Sequence, residues 1–399
     1  MRSANALLIV AVAMLSGCAI LPRNAVPVDR MADAVVPGMP DVRARAGRND
    51  PAIMRDLAQS FAQESAADFP VAADGRVHYS HLVLSGGGAN GAFGAGFLNG
   101  WTASGKRPVF KIVTGVSTGA LIAPYAFLGP DYDDVIREFF TNTASRNVFQ
   151  MLSIIPQLLG GESLADSGPL RLTIEQTVDD AFLRVIARAH QSGRRLYIGT
   201  VDLDSQFFIV WNMGAIAASG QPGSLELFRS VMLASASIPI AFPPVYIDVE
   251  AGGRRFDEMH VDGATVANLF YSAGVFNFAR AREGVGRGQG VEDIFIVHNG
   301  QLLPVPGTTN RSLRSIGTRA FSAAAKSATL GDLFRIFAFS LRNATGYNWI
   351  TIPNGVELAG DETFDPVAMR RLYDIGFAKS RDGPEWATAP PGAQDPPLP

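Results

Sequence analysis

Ser117 stands in Gly115-Val116-Ser117-Thr118-Gly119, directly after the apolar run Val109-Phe110-Lys111-Ile112-Val113 and ahead of an Ala/Leu/Ile stretch. Strand, G-x-S-x-G, helix is the order of a nucleophile elbow. Small neighbours permit a sharp turn that lifts the hydroxyl clear of the backbone. The helix that follows aims free N–H groups and positive dipole at the reacting centre. Upstream, Ser85-Gly86-Gly87-Gly88-Ala89-Asn90-Gly91 follows the apolar His81-Leu82-Val83-Leu84. Successive glycines let a ligand approach backbone N–H groups, and such groups stabilise the oxyanion of a tetrahedral intermediate. Gly86, Gly88 and Gly91 also spell a dinucleotide fingerprint, which wants an acidic residue at the end of the next strand. That strand ends instead in Thr114-Gly115-Val116-Ser117, so no nucleotide is expected.

A serine hydroxyl is a weak nucleophile until a base takes its proton. A carboxylate serves when burial raises its pKa toward neutrality. The candidate is Asp262, in Val261-Asp262-Gly263-Ala264, at the end of an expected hairpin of 245–249 and 255–261 around Ala251-Gly252-Gly253. Acidic residues before glycine also serve simply as turn formers. Among the five histidines, His78 and His81 flank the first strand on the wrong side of the glycine block. His190, near Arg188 and Arg194-Arg195, reads as a solvated helix face, and His260 shares a strand face with Asp262. His298 follows the strand Asp293–Val297, giving Ser117, Asp262, His298 the chain order of an α/β-hydrolase triad. Dyad and triad both remain open on these residues.

Four blocks in order resemble the patatin-like phospholipases, a family of serine lipid acyl hydrolases. They are Gly86–Gly91, Gly115–Gly119, the run from Ala234 to Pro244, and Asp262-Gly263-Ala264 with Asn268 behind it. The stretch Ser163–Leu170 is similar to a family loop, and the likeness spans roughly residues 82 to 376. The resemblance implies a three-layer α/β/α fold around a mainly parallel sheet. It also implies a Ser117–Asp262 dyad and an oxyanion hole in the glycine block, with no cofactor and no metal. The family often carries Arg or Lys where this chain has Asn90, which argues against a strong preference for a charged head group. Alternatives are a triad esterase or thioesterase acting on soluble esters, and a non-catalytic, lipid-binding envelope lipoprotein. A binding module has no need of Ser117, Asp262 and the glycine block together.

The elements that must position these residues alternate. Strands are expected at 81–84, 109–113, 196–201, 207–211, 245–249, 255–261, 293–298 and 348–352. Helices are expected at 52–67, 91–103, 118–128, 132–141, 170–190, 224–235, 312–325, 330–342 and 365–379. Both key turns then open at the carboxyl ends of strands, where ligands bind in such sheets. The apolar segment 149–160 reads equally as core packing and as a lid or acyl-chain wall.

At the other end, Met1-Arg2 precedes the apolar Ala6–Leu15, too short to span a bilayer, and then Leu15-Ser16-Gly17-Cys18. This resembles a bacterial lipoprotein signal, with residues 1–17 removed and Cys18, the only cysteine, lipidated. Ala19 in place of Asp favours the outer membrane of a bacterial cell envelope. Residues 18–50 are expected as a lipidated Cys and flexible tether, 51–80 as a helical lead-in, 81–380 as the acyl hydrolase domain and 381–399 as a Pro-rich disordered tail. Net charge is −3 and no basic cluster suggests nucleic acid. The expected partners are the membrane, through the lipid anchor, and a membrane lipid or other acyl ester as substrate.

Overall fold

The central strand, Phe110–Val116, is buried on both faces, as the near-continuous apolar run of a parallel core strand demands. It lies within the computed structural model, which describes residues 23–152, 161–286, 290–304, 306–358 and 364–393. The sheet strands in chain order are β1 (Arg43–Arg45), β2 (Val77–Leu84), β3 (Phe110–Val116), β4 (Arg195–Asp202), β5 (Phe207–Asn212), β6 (Val245–Ala251), β7 (Arg254–Asp262), β8 (Gly290–His298) and β9 (Gly346–Thr351). Their spatial order is β1-β5-β4-β3-β2-β8-β9, with β7 added to β4 and β6 to β7. Strands β9, β8, β2, β3 and β4 run parallel to one another. The pairs β5–β4, β1–β5, β7–β4 and β6–β7 are antiparallel.

The main helices are α1 (Pro51–Ala62), α2 (Gly91–Ala103), α3 (Thr118–Leu128), α4 (Asp133–Asn142), α5 (Gly168–Thr177), α6 (Asp180–Gln191), α7 (Ser224–Ser235), α8 (Leu313–Asn343) and α9 (Pro366–Ser380). Alternate residues of the strands serve opposite faces. Leu82, Leu84 and Val113 pack with α2, α3, α6, α7 and α9, whereas Val83, Ile112 and Val116 pack with α1 and Leu333 and Ile336 of α8. The fold is a three-layer α/β/α arrangement with a mainly parallel centre, as expected. None of the helices described is long and apolar enough to cross a membrane.

Several boundaries differ from the expectation. Strand β2 begins at Val77, because its polar first half pairs with Gly290–Asp293 of β8. The helix expected over 170–190 is two helices, with Asp179 capping the second through the Phe182 N–H. The two helices expected over 312–342 are one.

The larger differences lie at the ends. Residues 23–50 are not a tether: Val26, Val36, Met39 and Val42 are buried, and Arg43–Arg45 forms an edge strand on β5. Two arginines of this stretch pair with the β6–β7 hairpin side of the molecule, Arg23 with Asp204 and Asp257 and Arg43 with Glu258. The segment shows no period because it is held by isolated bridges, Ala25 to Asp257 and Val35 to Glu250. In the Pro-rich tail, residues 386–390 are likewise packed in part. Trp386 sits against Phe97, Trp101 and Phe295, and Ala387 pairs with Trp349. Residues 1–22, with Cys18, lie outside the described residues, as do 153–160 of the expected lid and 394–399 of the tail.

Candidate active site

Ser117 and Asp262 meet through the topology of one strand. Both edges of β4 are occupied: β5 runs along one, and β3 covers the other only as far as the Val116–Gly199 pair. At Val116 the chain turns out of the sheet, and β7 enters the vacated edge, pairing Asp262 with Thr200. The end of β3 and the end of β7 therefore abut head to head beside Gly199 and Thr200. Gly263 is packed so closely there that a Cβ on it would lie 2.6 Å from the Gly199 carbonyl and 2.9 Å from Val116 Cγ1.

The elbow itself is strained. Ser117 has φ 54° and ψ −126°, outside the regions open to a relaxed L-residue. Its N–H donates to Ser235 Oγ at 2.9 Å, and Ser235 in turn donates to the Gly199 carbonyl at 2.7 Å. Its carbonyl accepts from Ala120 and Leu121 of α3. Gly115 and Gly119 clasp the turn: a Cβ on Gly119 would lie 2.3 Å from the Leu84 carbonyl.

Asp262 is buried at the turn that follows β7, its N–H held by the Ser237 carbonyl and its Oδ1 by the Ala264 N–H at 2.8 Å. Burial pushes its carboxyl up to about 7, and the neighbouring Ser117 hydroxyl and the Ala264 N–H only partly offset this. Oδ2 is enclosed with no well-aligned hydrogen-bond partner, so the Ser117 hydroxyl stands beside it without a tight bond. Loose contacts of this kind are common where a base awaits its substrate.

The glycine block closes the third side. The Gly86 N–H donates to the Asn268 carbonyl at 3.4 Å, while the N–H groups of Gly87 and Gly88 have no acceptor among the described residues. Gly88 is left-handed at φ 55°, and its carbonyl accepts from Thr118 Oγ1 at 2.8 Å. Gly87 lies against Asn299, where a Cβ would come within 2.2 Å of the carbonyl oxygen. Asn299 braces the loop from behind. It donates through N and Nδ2 to Ser85 Oγ and O, and its Oδ1 accepts from the Gly94 N–H. Gly91 opens α2 against Thr118.

A narrow cleft leads to Ser117, lined by Gly88, Leu121, Phe149, Ile238 and Phe242 among others. Behind it, sharing Leu121, Phe139 and Phe140, lies a hollow of about 410 Å³ walled by α3, α4 and α5.

The histidines stand apart. His298 Nδ1 is 2.9 Å from Thr351 Oγ1, and burial lowers its pKa to about 4. Its strand β8 is separated from β3 by β2, roughly 10 Å at the usual strand spacing. His260 bonds Thr200 Oγ1 and Glu258 Oε2. His190 is buried against Asp56 at 3.3 Å, not on a solvated face, because α6 turns it inward. Ser235 and Asn299 were missed by sequence reasoning. Ser235 lies inside the Ala234–Pro244 run, where a signal was present, whereas Asn299 carries none beyond following a strand.

A family model of patatin-like phospholipases matches residues 82–273, a span that holds the glycine block, the elbow and the Asp262 turn. Among solved structures, VipD from Legionella pneumophila is similar at 12% identity with a TM-score of 0.31, covering 78% of this chain and 68% of that one. No curated protein matches. Residues 82–273 thus match the patatin-like phospholipases, a family of lipid acyl hydrolases.

Proposed function

We propose that the protein is a serine lipid acyl hydrolase of the phospholipase A or lysophospholipase type, working through a Ser117–Asp262 dyad. The observation that carries this reading is the enclosed Oδ2 of Asp262, unpaired beside the Ser117 hydroxyl, with its carboxyl raised to about 7. Ser117 Oγ attacks the acyl carbonyl carbon while its proton passes to Asp262. The developing oxyanion is met by the free N–H groups of Gly87 and Gly88. Collapse of the tetrahedral intermediate breaks the ester bond, and the alcohol leaves with the proton from Asp262. Water then attacks the acyl-enzyme with Asp262 again as base, releasing the fatty acid and restoring Ser117. The apolar cleft and the hollow behind it suit an acyl chain. The bond from His298 to Thr351 favours the dyad over the triad.

The site of action we place at the bacterial cell envelope, lipid-anchored through Cys18, with Ala19 favouring the outer membrane. A fluorophosphonate probe should label the wild type and not Ser117→Ala. A lipid panel assayed with both proteins then names the substrate, and equal labelling of the two would sink the reading. Metabolic incorporation of a palmitate analogue, lost in Cys18→Ser, tests the anchor.

A further inference from the structure

The loop over the cleft carries an isoleucine that folding does not ask for. Ile240 is 75% exposed and sits at φ 72°, in the left-handed region that a β-branched residue avoids and that Asn or Gly enters readily. Its carbonyl accepts from the Leu164 N–H at 2.9 Å, and the Leu164 carbonyl accepts from the Leu152 N–H at 3.0 Å. Met151 pairs with Ala165 beside them. Met151 and Leu164 are themselves 63% and 37% exposed, so three apolar side chains form one rim. The rim stands over the cleft. Ile238 and Phe242, on either side of Ile240, line that cleft, and Phe242 packs on Phe149 just before Met151, with ring centroids 5.7 Å apart.

The N-terminal segment ends at the same face. Residues 23–45 are docked on the body, so only four residues, 19–22, separate Cys18 from the docked chain. From Cys18 to Arg23 the chain reaches at most about 18 Å. Arg23 is held by Asp204 and Asp257, and its guanidinium lies 5.6 Å from the Tyr246 ring centre. The Tyr246 hydroxyl donates to Glu162, two residues before Leu164. Arg23 is thus joined through Tyr246 and Glu162 to the segment that carries Leu164.

We infer that Met151, Leu164 and Ile240 form a bilayer-contact rim, and that the short link from Cys18 holds the mouth of the cleft against the lipid surface. The inference rests on the proposed anchor and on lipid as substrate. The partner is the bilayer surface itself. Apolar side chains enter the acyl boundary while the docked residues 23–45 set the orientation. The anchor then does more than keep the domain nearby, because a link this short leaves one face of the domain toward its substrate.

The test uses the full lipidated chain reconstituted into phosphatidylcholine vesicles. An environment-sensitive dye is placed at Ile240→Cys and, as control, at Val71→Cys, which is 68% exposed and bridges Val77 at the amino end of β2, away from the cleft. The dye at 240 should shift to the blue and be quenched by brominated phosphatidylcholine, and the dye at 71 should not. Ile240→Asn should keep or raise the melting temperature, since Asn relaxes the left-handed site. Hydrolysis of vesicle lipid should fall roughly 10-fold, with turnover of a soluble short-chain ester unchanged. An unquenched dye at 240, or a wild-type chain that does not float with the vesicles, overturns the rim. Absent ester turnover by wild type beside a quenched dye would instead sink the acyl hydrolase reading and leave the rim standing.

Discussion

Two carboxylates on the same face of β7 are both buried, and their chemistry is opposite. Burial alone would raise Glu258, but the hydrogen bond from His260 and the Arg43 guanidinium outweigh it and hold the carboxyl down at about 2. Asp262, four residues on, has burial without a countercharge and is raised to about 7. Enclosure is common to the two, so the neighbours decide. A carboxylate with a countercharge is held as a strut, whereas one raised by burial beside a hydroxyl has the pKa that the proposed base needs.

Substitutions can break that contrast. The largest effect is expected from Ser117→Ala, which removes the proposed nucleophile: lipid or ester turnover should fall by at least about 10⁴-fold, with circular dichroism unchanged. Asp262→Asn keeps the shape and removes the proposed base, so kcat should fall by about 10²-fold or more. In the wild type kcat/KM should rise with pH through about 7, as Asp262 loses its proton. The folded state favours the protonated form of this carboxyl over its usual 3.8, so that contribution to stability is complete below about 4 and is lost as pH rises toward 7. Asp262→Asn escapes the loss. Urea melts should show it gaining on the wild type at pH 8 relative to pH 4, by roughly 3 kcal/mol. A gain at pH 4 instead would mean that the carboxyl is not raised.

Gly88→Val probes the donors opposite the base. The site has room for a side chain but not for an L-residue at ease, since φ is 55°. Misaiming the Gly88 N–H should lower kcat by roughly 10²-fold in a folded protein, read beside thermal melting. Glu258→Gln should act the other way round. It removes the partner of a buried Arg43, so the protein should lose about 3 kcal/mol in a urea melt, while the kcat of the folded fraction stays within about 3-fold. The Glu258 carboxyl is depressed, so its contribution is present above its usual 4.5 and is lost as pH falls toward 2. The smallest effect is expected from His298→Ala, which should leave kcat within about 3-fold. A loss as deep as that of Ser117→Ala would restore the triad.

The parts legible in the sequence are those whose signals are local. The elbow, the glycine loop and the Gly252-Gly253 turn, with φ of 57° and 73°, each declare themselves within a few residues. The helices 91–103, 118–128 and 224–235 stand where the sequence placed them. Residues 23–50 did not, because their order comes from partners far along the chain: Val35 bridges Glu250, and Arg43 answers Glu258. Asn299 escaped for the same reason, since its role is to hold Ser85, and nothing in its own neighbours says so.

The handover of one edge of β4 from β3 to β7 also sets an order of events in time. The strand, turn and helix of the elbow are close in sequence, and its Ser117 N–H waits only for Ser235 of α7, which precedes β7 in the chain. The carboxylate arrives only when the hairpin of β6 and β7, more distant in the chain, docks beside Thr200. During refolding, helical signal should therefore recover before probe labelling at Ser117. A chain that stops short of β7 would carry an assembled elbow with nothing to take its proton. If Ser117 and Asp262 act as a pair, turnover should begin only once β7 has docked beside β4.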